Sequence, residues 1–246
     1  MNKLSITIIT KNEEKNIERC LESVKWADEI IVVDSGSIDN TLKICEEHDC
    51  KIIKSKWLGF SLTKRKAVSY AKNNWILSID ADEEITTELK DKIGKILEKP
   101  KYNAYSIKRI SYYLGNKIKH CGWNRDFPLR LFDKNFGNFN DKIVHESIVV
   151  DGKKGRIYQP MLHFTYPTIE SHIKKMDQYS TLGAQTLFEK NRNSTILEAI
   201  LRGFFKFIKM YFIQLGFLDG ANGFVLCENS AIGVYLKYLK LWKLRK

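Results

Sequence analysis

Residues 75–84 read WILSIDADEE, a short apolar run that stops on four carboxylates within five positions: Asp80, Asp82, Glu83 and Glu84. The run has the length and β-branched character of a strand covered on both faces. LSITIIT (4–10), EIIVVDS (29–35) and CKIIKS (50–55) have the same character. Between these runs lie helical spacings: Ile17, Leu21 and Val24; Leu42, Ile44 and Cys45 behind Thr41; and Ala67, Tyr70 and Ala71. Such alternation predicts an α/β fold with a mostly parallel sheet flanked by helices and joined by right-handed crossovers.

Ligands of such sheets bind beyond the carboxyl ends of the strands. Polar groups gather there in TKNE (10–13), DSGS (34–37) and DAD (80–82). A single polar strand end is ordinary loop chemistry, but three on one edge make a site. Asp80 and Asp82, one residue apart, suit a hard divalent cation, Mg²⁺ or Mn²⁺. Such an ion takes one or two protein carboxylates and completes its shell with water and phosphate oxygens. Glu83 and Glu84 have a plainer reading, as acids at the positive end of a helix starting near Thr86. In VVDSGSIDNT (32–41), Gly36 permits a tight turn, while Ser37, Asp39 and Thr41 serve the turn and the next helix. Asp34 is placed to accept from a ring N–H or a sugar hydroxyl.

From 102 to about 165 the pattern loosens into AYSIKRISYY, LRLF, IVHESIVV and GRIYQPMLHF, strands for which antiparallel pairing is expected. From Thr168 onward the reading is mostly helical. The expected division is therefore 1–167 for the sheet domain and 168–246 for a helical extension.

The chain has 246 residues and a net charge of +12. Much of the excess lies late: residues 151–246 hold 15 Lys/Arg against 7 Asp/Glu. LRGFFKFIKMYFIQLGF (201–217) and IGVYLKYLKLWKLRK (232–246) set lysines and arginines among aromatic and aliphatic residues. Both are too charged to span a bilayer, yet suit the plane of an anionic membrane surface. No nucleic-acid module accompanies the charge, so nucleic acid is not an expected partner. The run Leu4–Ile9 is too short for a secretory signal. The five cysteines include no CxxC pair and read as reduced thiols. A cytoplasmic protein, peripheral on the inner face of the cytoplasmic membrane, is expected.

ITIITKNEEKNIERCLES, EIIVVDSGSIDNT and WILSIDADEE together resemble the donor-binding half of glycosyltransferase family 2, which has the GT-A fold. GWNRDFPLRLF (122–132), VHES (144–147) and GFLDGANGF (216–224) are similar to its small branch that includes lipopolysaccharide inner-core β-1,4-glucosyltransferases. The resemblance implies a nucleotide-sugar donor and a lipid-linked saccharide acceptor. It implies donor contacts at Thr10, Asn12, Glu13, Asp34, Ser35, Gly36, Lys64 and Asp80, and a metal held by Asp82 with Asp80. Arg65 stands where many relatives have Asn, which leaves open whether Lys64 or a neighbour reaches the donor. The QxxRW motif and membrane spans of the processive synthases are absent from the sequence, which implies transfer of one sugar.

Such a transfer needs a general base for the acceptor hydroxyl. Glu146 is preferred and Asp126 is the second candidate, each with a salt bridge to Arg130 or Arg125 as its plainer role. His145 is read as a metal ligand, as a support for Glu146, or as a packed histidine. Trp123 belongs to an aromatic loop that suits the acceptor floor. The competing readings are a sugar-phosphate nucleotidyltransferase, whose glycine- and arginine-rich opening loop is missing from IITKNEEKN, and a non-catalytic membrane-bound module.

Overall fold

All four early apolar runs become strands: β1 (Leu4–Thr10), β2 (Glu29–Asp34), β3 (Lys51–Lys54) and β4 (Trp75–Asp80). They lie in the order β3-β2-β1-β4, and every neighbouring pair is parallel. The structure is a computed structural model, and it describes residues 2–140 and 147–246. Ile6, Ile8, Leu77 and Ile79 are fully buried at the centre of this sheet. Burial of each such side chain contributes about 1.5–3 kcal/mol.

Helix α1 (Ile17–Val24) turns Ile17, Cys20, Leu21 and Val24 inward, and α2 (Thr41–Glu47) follows β2. Helix α3 (Phe60–Ser69) departs from the expected apolar spacing, because Tyr70 falls just past its end. Its buried side carries Ser61, Thr63 and Lys64 beside Ala67 and Val68.

The acids after β4 are not where a helix N-terminus would put them. Glu83 and Glu84 belong to a short strand, β5 (Glu83–Ile85), which corrects the helix-terminus reading. Helix α4 (Thr87–Glu98) begins beyond it, capped by the Thr86 hydroxyl, which accepts from the Leu89 N–H at 3.2 Å; its first-turn acid is Glu88.

The sheet continues past β4 through β8 (Leu129–Asp133), β6 (Ala104–Tyr113), β11 (Lys154–Phe164) and β5. The pairs β4–β8, β8–β6 and β11–β5 are antiparallel, as the loosened pattern of the middle region suggested. The short β7 (Asn116–Lys117) pairs with the end of β6, and β9 (Gly137–Phe139) with β10 (Ile148–Val150) forms a separate antiparallel ribbon.

The chain divides into two compact units, residues 1–109 with 127–163, and residues 110–126 with 164–246. Segment 110–126, counted above with the sheet domain, thus groups with the C-terminal helices. These are α5 (Ile169–Glu189), α6 (Ile196–Ile208) and α7 (Gly220–Leu244), with a wide turn over Lys209–Ile213 and a tight one over Gly216–Asp219 before α7. Thr168 caps α5 reciprocally with Ser171. Inside this unit His172 stacks on Tyr166, ring centroids 4.2 Å apart, and its Nδ1 lies 2.9 Å from the Tyr113 hydroxyl. Lys240 is turned onto α5: its ammonium donates to Asp177 Oδ1 at 2.6 Å and to the Ser180 and Thr181 hydroxyls at 2.8 Å each.

Candidate active site

The register of the parallel strands sets the site. Thr10 lies opposite Asp34 across β1–β2, and Ile9 opposite Asp80 across β1–β4. The carboxyl ends of three adjacent strands therefore open on one edge, with Thr10, Asp34 and Asp80 on it.

On the β1–β2 side, two turns are fastened together. Asn12, at φ +56°, donates its N–H to the Ser37 hydroxyl at 2.9 Å, and its side-chain oxygen accepts from the Ile38 N–H at 2.9 Å. The Glu13 N–H donates to the Thr41 hydroxyl at 2.8 Å, and Asp39 accepts from the Thr41 N–H at 3.1 Å. Glu13 Oε2 takes the Asn16 side-chain amide at 2.8 Å. Asp34 folds back on its own loop, accepting the Gly36 N–H at 2.9 Å, the Ser37 N–H at 3.0 Å and the Ser37 hydroxyl. Gly36 has φ +91°, a conformation that side chains beyond Cα disfavour. An ionised carboxylate accepts roughly four hydrogen bonds. Asp34 therefore keeps capacity for a ligand N–H beyond the three donors of its turn.

Two buried hydroxyls on this edge, Thr10 Oγ1 and Ser35 Oγ, have no hydrogen-bond partner among the described residues. A buried hydroxyl without a partner is costly, and its usual explanation is a ligand or an ordered water.

On the β4 side, the carboxylates meet cations. Asp80 Oδ1 lies 2.7 Å from Lys64 Nζ, and Asp80 Oδ2 lies 2.5 Å from Arg130 Nη2. Arg130 also reaches Glu83 Oε1 at 2.6 Å, and Arg109 Nη1 reaches the same oxygen at 3.0 Å. Glu83 Oε2 accepts the Asp80 N–H at 2.9 Å, so one carboxylate fixes the backbone of the other. Burial works against ionisation of Asp80, but the Arg130 and Lys64 charges outweigh it and hold the carboxyl well below the usual carboxylate range. Burial likewise opposes the charge on Arg130, and the Asp80 and Glu83 carboxylates more than reverse it, raising its pKa. Of the basic side chains in TKRK, it is Lys64 that meets Asp80; it is 2% exposed, whereas Arg65 lies on the outer side of α3.

Asp82 lies two residues beyond Asp80, at the turn between β4 and β5. Its Oδ2 is 3.5 Å from His163 Nε2 on β11. Both Asp80 oxygens are held by cations, so of the two aspartates it is Asp82, with the His163 imidazole beside it, that could hold a divalent ion. A carboxylate oxygen is a suitable donor for Mg²⁺ or Mn²⁺. Among the described residues no group of three or more His, Cys, Asp or Glu side chains is gathered into a complete metal cage. That is compatible with an ion whose shell is completed by substrate phosphates and water.

Glu146 and His145 lie outside the described residues. Asp126 and Trp123 belong to the second unit, in and after a short turn (Trp123–Arg125), where Trp123 packs edge-on against Tyr113, centroids 6.4 Å apart. Arg130, Glu83, Arg109 and His163 were not singled out as site residues by the sequence. The available signal was a charged or ring side chain inside an apolar β run, in LRLF and in MLHF.

The strand edge of this α/β sheet thus combines a tied pair of turns, two buried hydroxyls without a partner among the described residues, and an acid–base cluster. The model of the family described as Glycosyl transferase family 2 matches residues 5–160, and the chain belongs to that family and is a glycosyltransferase. An uncharacterized glycosyltransferase of Rickettsia typhi, RT0209, is 35% identical over 259 residues, covering 100% of this chain and 88% of the relative. The lipopolysaccharide core biosynthesis glycosyltransferase LpsC of Rhizobium meliloti is 27% identical, covering 98% of this chain and 92% of LpsC. Among solved structures, S. aureus TarS 1–349 in complex with UDP superposes with a TM-score of 0.48 at 14% identity, covering 99% of this chain and 91% of that one. Glucosyl-3-phosphoglycerate synthase from Mycobacterium tuberculosis, in complex with Mn²⁺, UDP and glucosyl-3-phosphoglycerate, gives 0.39 at 20% identity over 44% of each chain. The parallel strands with their antiparallel continuation are the GT-A arrangement expected from the motifs.

Proposed function

We propose that the chain is an inverting, metal-dependent glycosyltransferase that moves one glucose from UDP-glucose to a lipid-linked saccharide of lipopolysaccharide or lipooligosaccharide core type. It acts as a peripheral protein on the inner face of the cytoplasmic membrane. The observation that carries the acceptor class is the similarity to LpsC, which runs the length of both proteins and includes the helical part. The donor assignment is supported by the strand edge, with its spare Asp34 acceptor capacity and the unpartnered Thr10 and Ser35 hydroxyls.

In this reading the nucleoside lies against Thr10, Asn12, Glu13, Asp34, Ser35 and Gly36. Lys64 and Arg130 hold Asp80 ionised and immobile beside it. A divalent cation bound at Asp82, with His163 adjacent, would offset the negative charge of the diphosphate leaving group. Glu146 accepts the proton of the acceptor hydroxyl as that oxygen bonds to the anomeric carbon and the bond to the diphosphate breaks; Asp126 is the second candidate for this base. A single displacement inverts the anomeric centre.

The test is transfer of labelled glucose from UDP-glucose, with Mn²⁺, to a purified core lipid acceptor that lacks this sugar. Transfer with an inverted, β-configured product, lost in Glu146→Gln while UDP binding persists, is the expected result. No transfer from any UDP-hexose to core acceptors would sink the donor and acceptor assignment. Near-normal transfer by Glu146→Gln would move the base role to Asp126.

A further inference from the structure

Helix α6 carries most of its large apolar residues on its exposed side, while Phe207 packs inward against the cluster of Met210, Leu226 and Cys227. Leu197, Ile200, Phe204 and Phe205 are 64%, 50%, 57% and 62% exposed. With Leu201 they fall on one arc at the roughly 3.6-residue turn of an α-helix. The opposite side holds the small residues Ala199 and Gly203, both buried. A Cβ on Gly203 would stand 3.0 Å from Tyr235 Cβ and 3.2 Å from the Ala231 carbonyl oxygen. Close backbone approach to α7 therefore holds the helix in place, and the bulky side chains of the arc are left outside. The arc runs on into the following turn, where Ile213 is 73% exposed.

Soluble chains rarely leave a contiguous apolar patch of this kind uncovered. Its border identifies the cover. Arg202, ion-paired with Glu198 at 2.7 Å, half-buried Lys206 and exposed Lys209 recur along one flank of the arc, and the unit that carries it holds 15 Lys/Arg against 7 Asp/Glu. A second copy would bring like charge against like charge, whereas anionic headgroups would neutralise it. No helix among the described residues is long and apolar enough to cross a membrane. An apolar arc with a basic flank is the pattern of a helix lying in the plane of the bilayer surface.

We infer that the outer arc of α6, from Leu197 to Ile213, is the face by which the chain inserts into an anionic bilayer. The inference rests on the proposed lipid-linked acceptor for its purpose, but its evidence and its test do not involve sugar transfer. The arc supplies the apolar contact, and the Arg202–Lys209 flank meets the headgroups. Lys240, hydrogen-bonded within the unit to α5, takes no part.

The experiment is co-sedimentation of the full chain with vesicles of phosphatidylethanolamine and phosphatidylglycerol, and with vesicles of phosphatidylcholine alone. The wild type should bind the anionic vesicles and bind phosphatidylcholine far more weakly. The double variant Phe204→Ser/Phe205→Ser should lose most of that binding while its circular dichroism and thermal midpoint stay unchanged, since both side chains are exposed. Tryptophan emission of Phe205→Trp should shift to the blue when anionic vesicles are added. Equal binding by wild type and double variant would overturn the inference. So would a wild type that ignores vesicles, whether monomeric or a dimer that the double variant splits; the dimer would assign the face to a second copy. Transfer to a soluble core saccharide, measured alongside, reports on the proposed function independently of either result.

Discussion

Arg130 Nη2 lies 2.5 Å from Asp80 Oδ2, joining β8 to the carboxyl end of β4. Both side chains belong to one cluster, in which Lys64, Arg130 and Arg109 face Asp80 and Glu83. The negative charge at the mouth of the core is thus matched by cations brought from distant parts of the chain.

The cluster predicts a large cost for removing its centre. Arg130→Met leaves two carboxylates without their shared partner, and breaking a buried pair in this way costs about 3–5 kcal/mol. Urea unfolding should show that loss, with Arg130→Lys less affected. An unchanged midpoint in Arg130→Met would mean that water, and not Arg130, compensates Asp80 and Glu83.

Thr10 separates stability from binding. Its buried hydroxyl has no partner among the described residues, so Thr10→Val removes an unsatisfied group and should leave stability unchanged or raise it by about 1 kcal/mol. The same change should weaken UDP binding measured by calorimetry. A clear loss of stability would show that the hydroxyl is satisfied within the fold.

Asp82→Asn should abolish the metal dependence of UDP binding and leave the metal-independent part intact. Its effect on Mn²⁺-supported affinity should be at least the roughly 10–100-fold that loss of an outer-shell partner costs. Calorimetry with and without Mn²⁺ checks this. Metal-dependent binding retained in Asp82→Asn would place the ion elsewhere on the edge.

The second unit should be sensitive to mild acid. Burial lowers the His172 pKa to about 4 from an ordinary 6.5. Between those values the unfolded chain binds the proton and the folded one does not, so folding loses stability as pH falls from about 6.5 towards about 4. Below that window the contribution is constant. His172→Gln should flatten this part of the profile in urea midpoints taken from pH 7 to pH 4.

Strands β1–β4 were legible to within about a residue because a strand buried on both faces leaves a continuous apolar run. The strand-end acids were legible for the same reason, since they interrupt such runs. Arg130 was not, because in LRLF an arginine looks like the outward residue of an alternating strand. Its partners are 50 and 47 residues away in sequence, and only the β4–β8 pairing brings them together. His163 is hidden in the same way within MLHF. Helix α3 was only half readable: its first turns bury Ser61, Thr63 and Lys64, whose burial is set by partners such as Asn140 that no local period announces.

The cross-fastening of residues 12–14 to residues 37–41 has a consequence for affinity. Ordering one residue's backbone costs about 1–2 kcal/mol in conformational entropy. Here Asn12, Glu13, Ser37 and Thr41 are already held by one another within the fold, with no ligand needed to order them. That loss of freedom is met during folding, so association need not repeat it, and a preorganised rim converts more of its contact energy into binding.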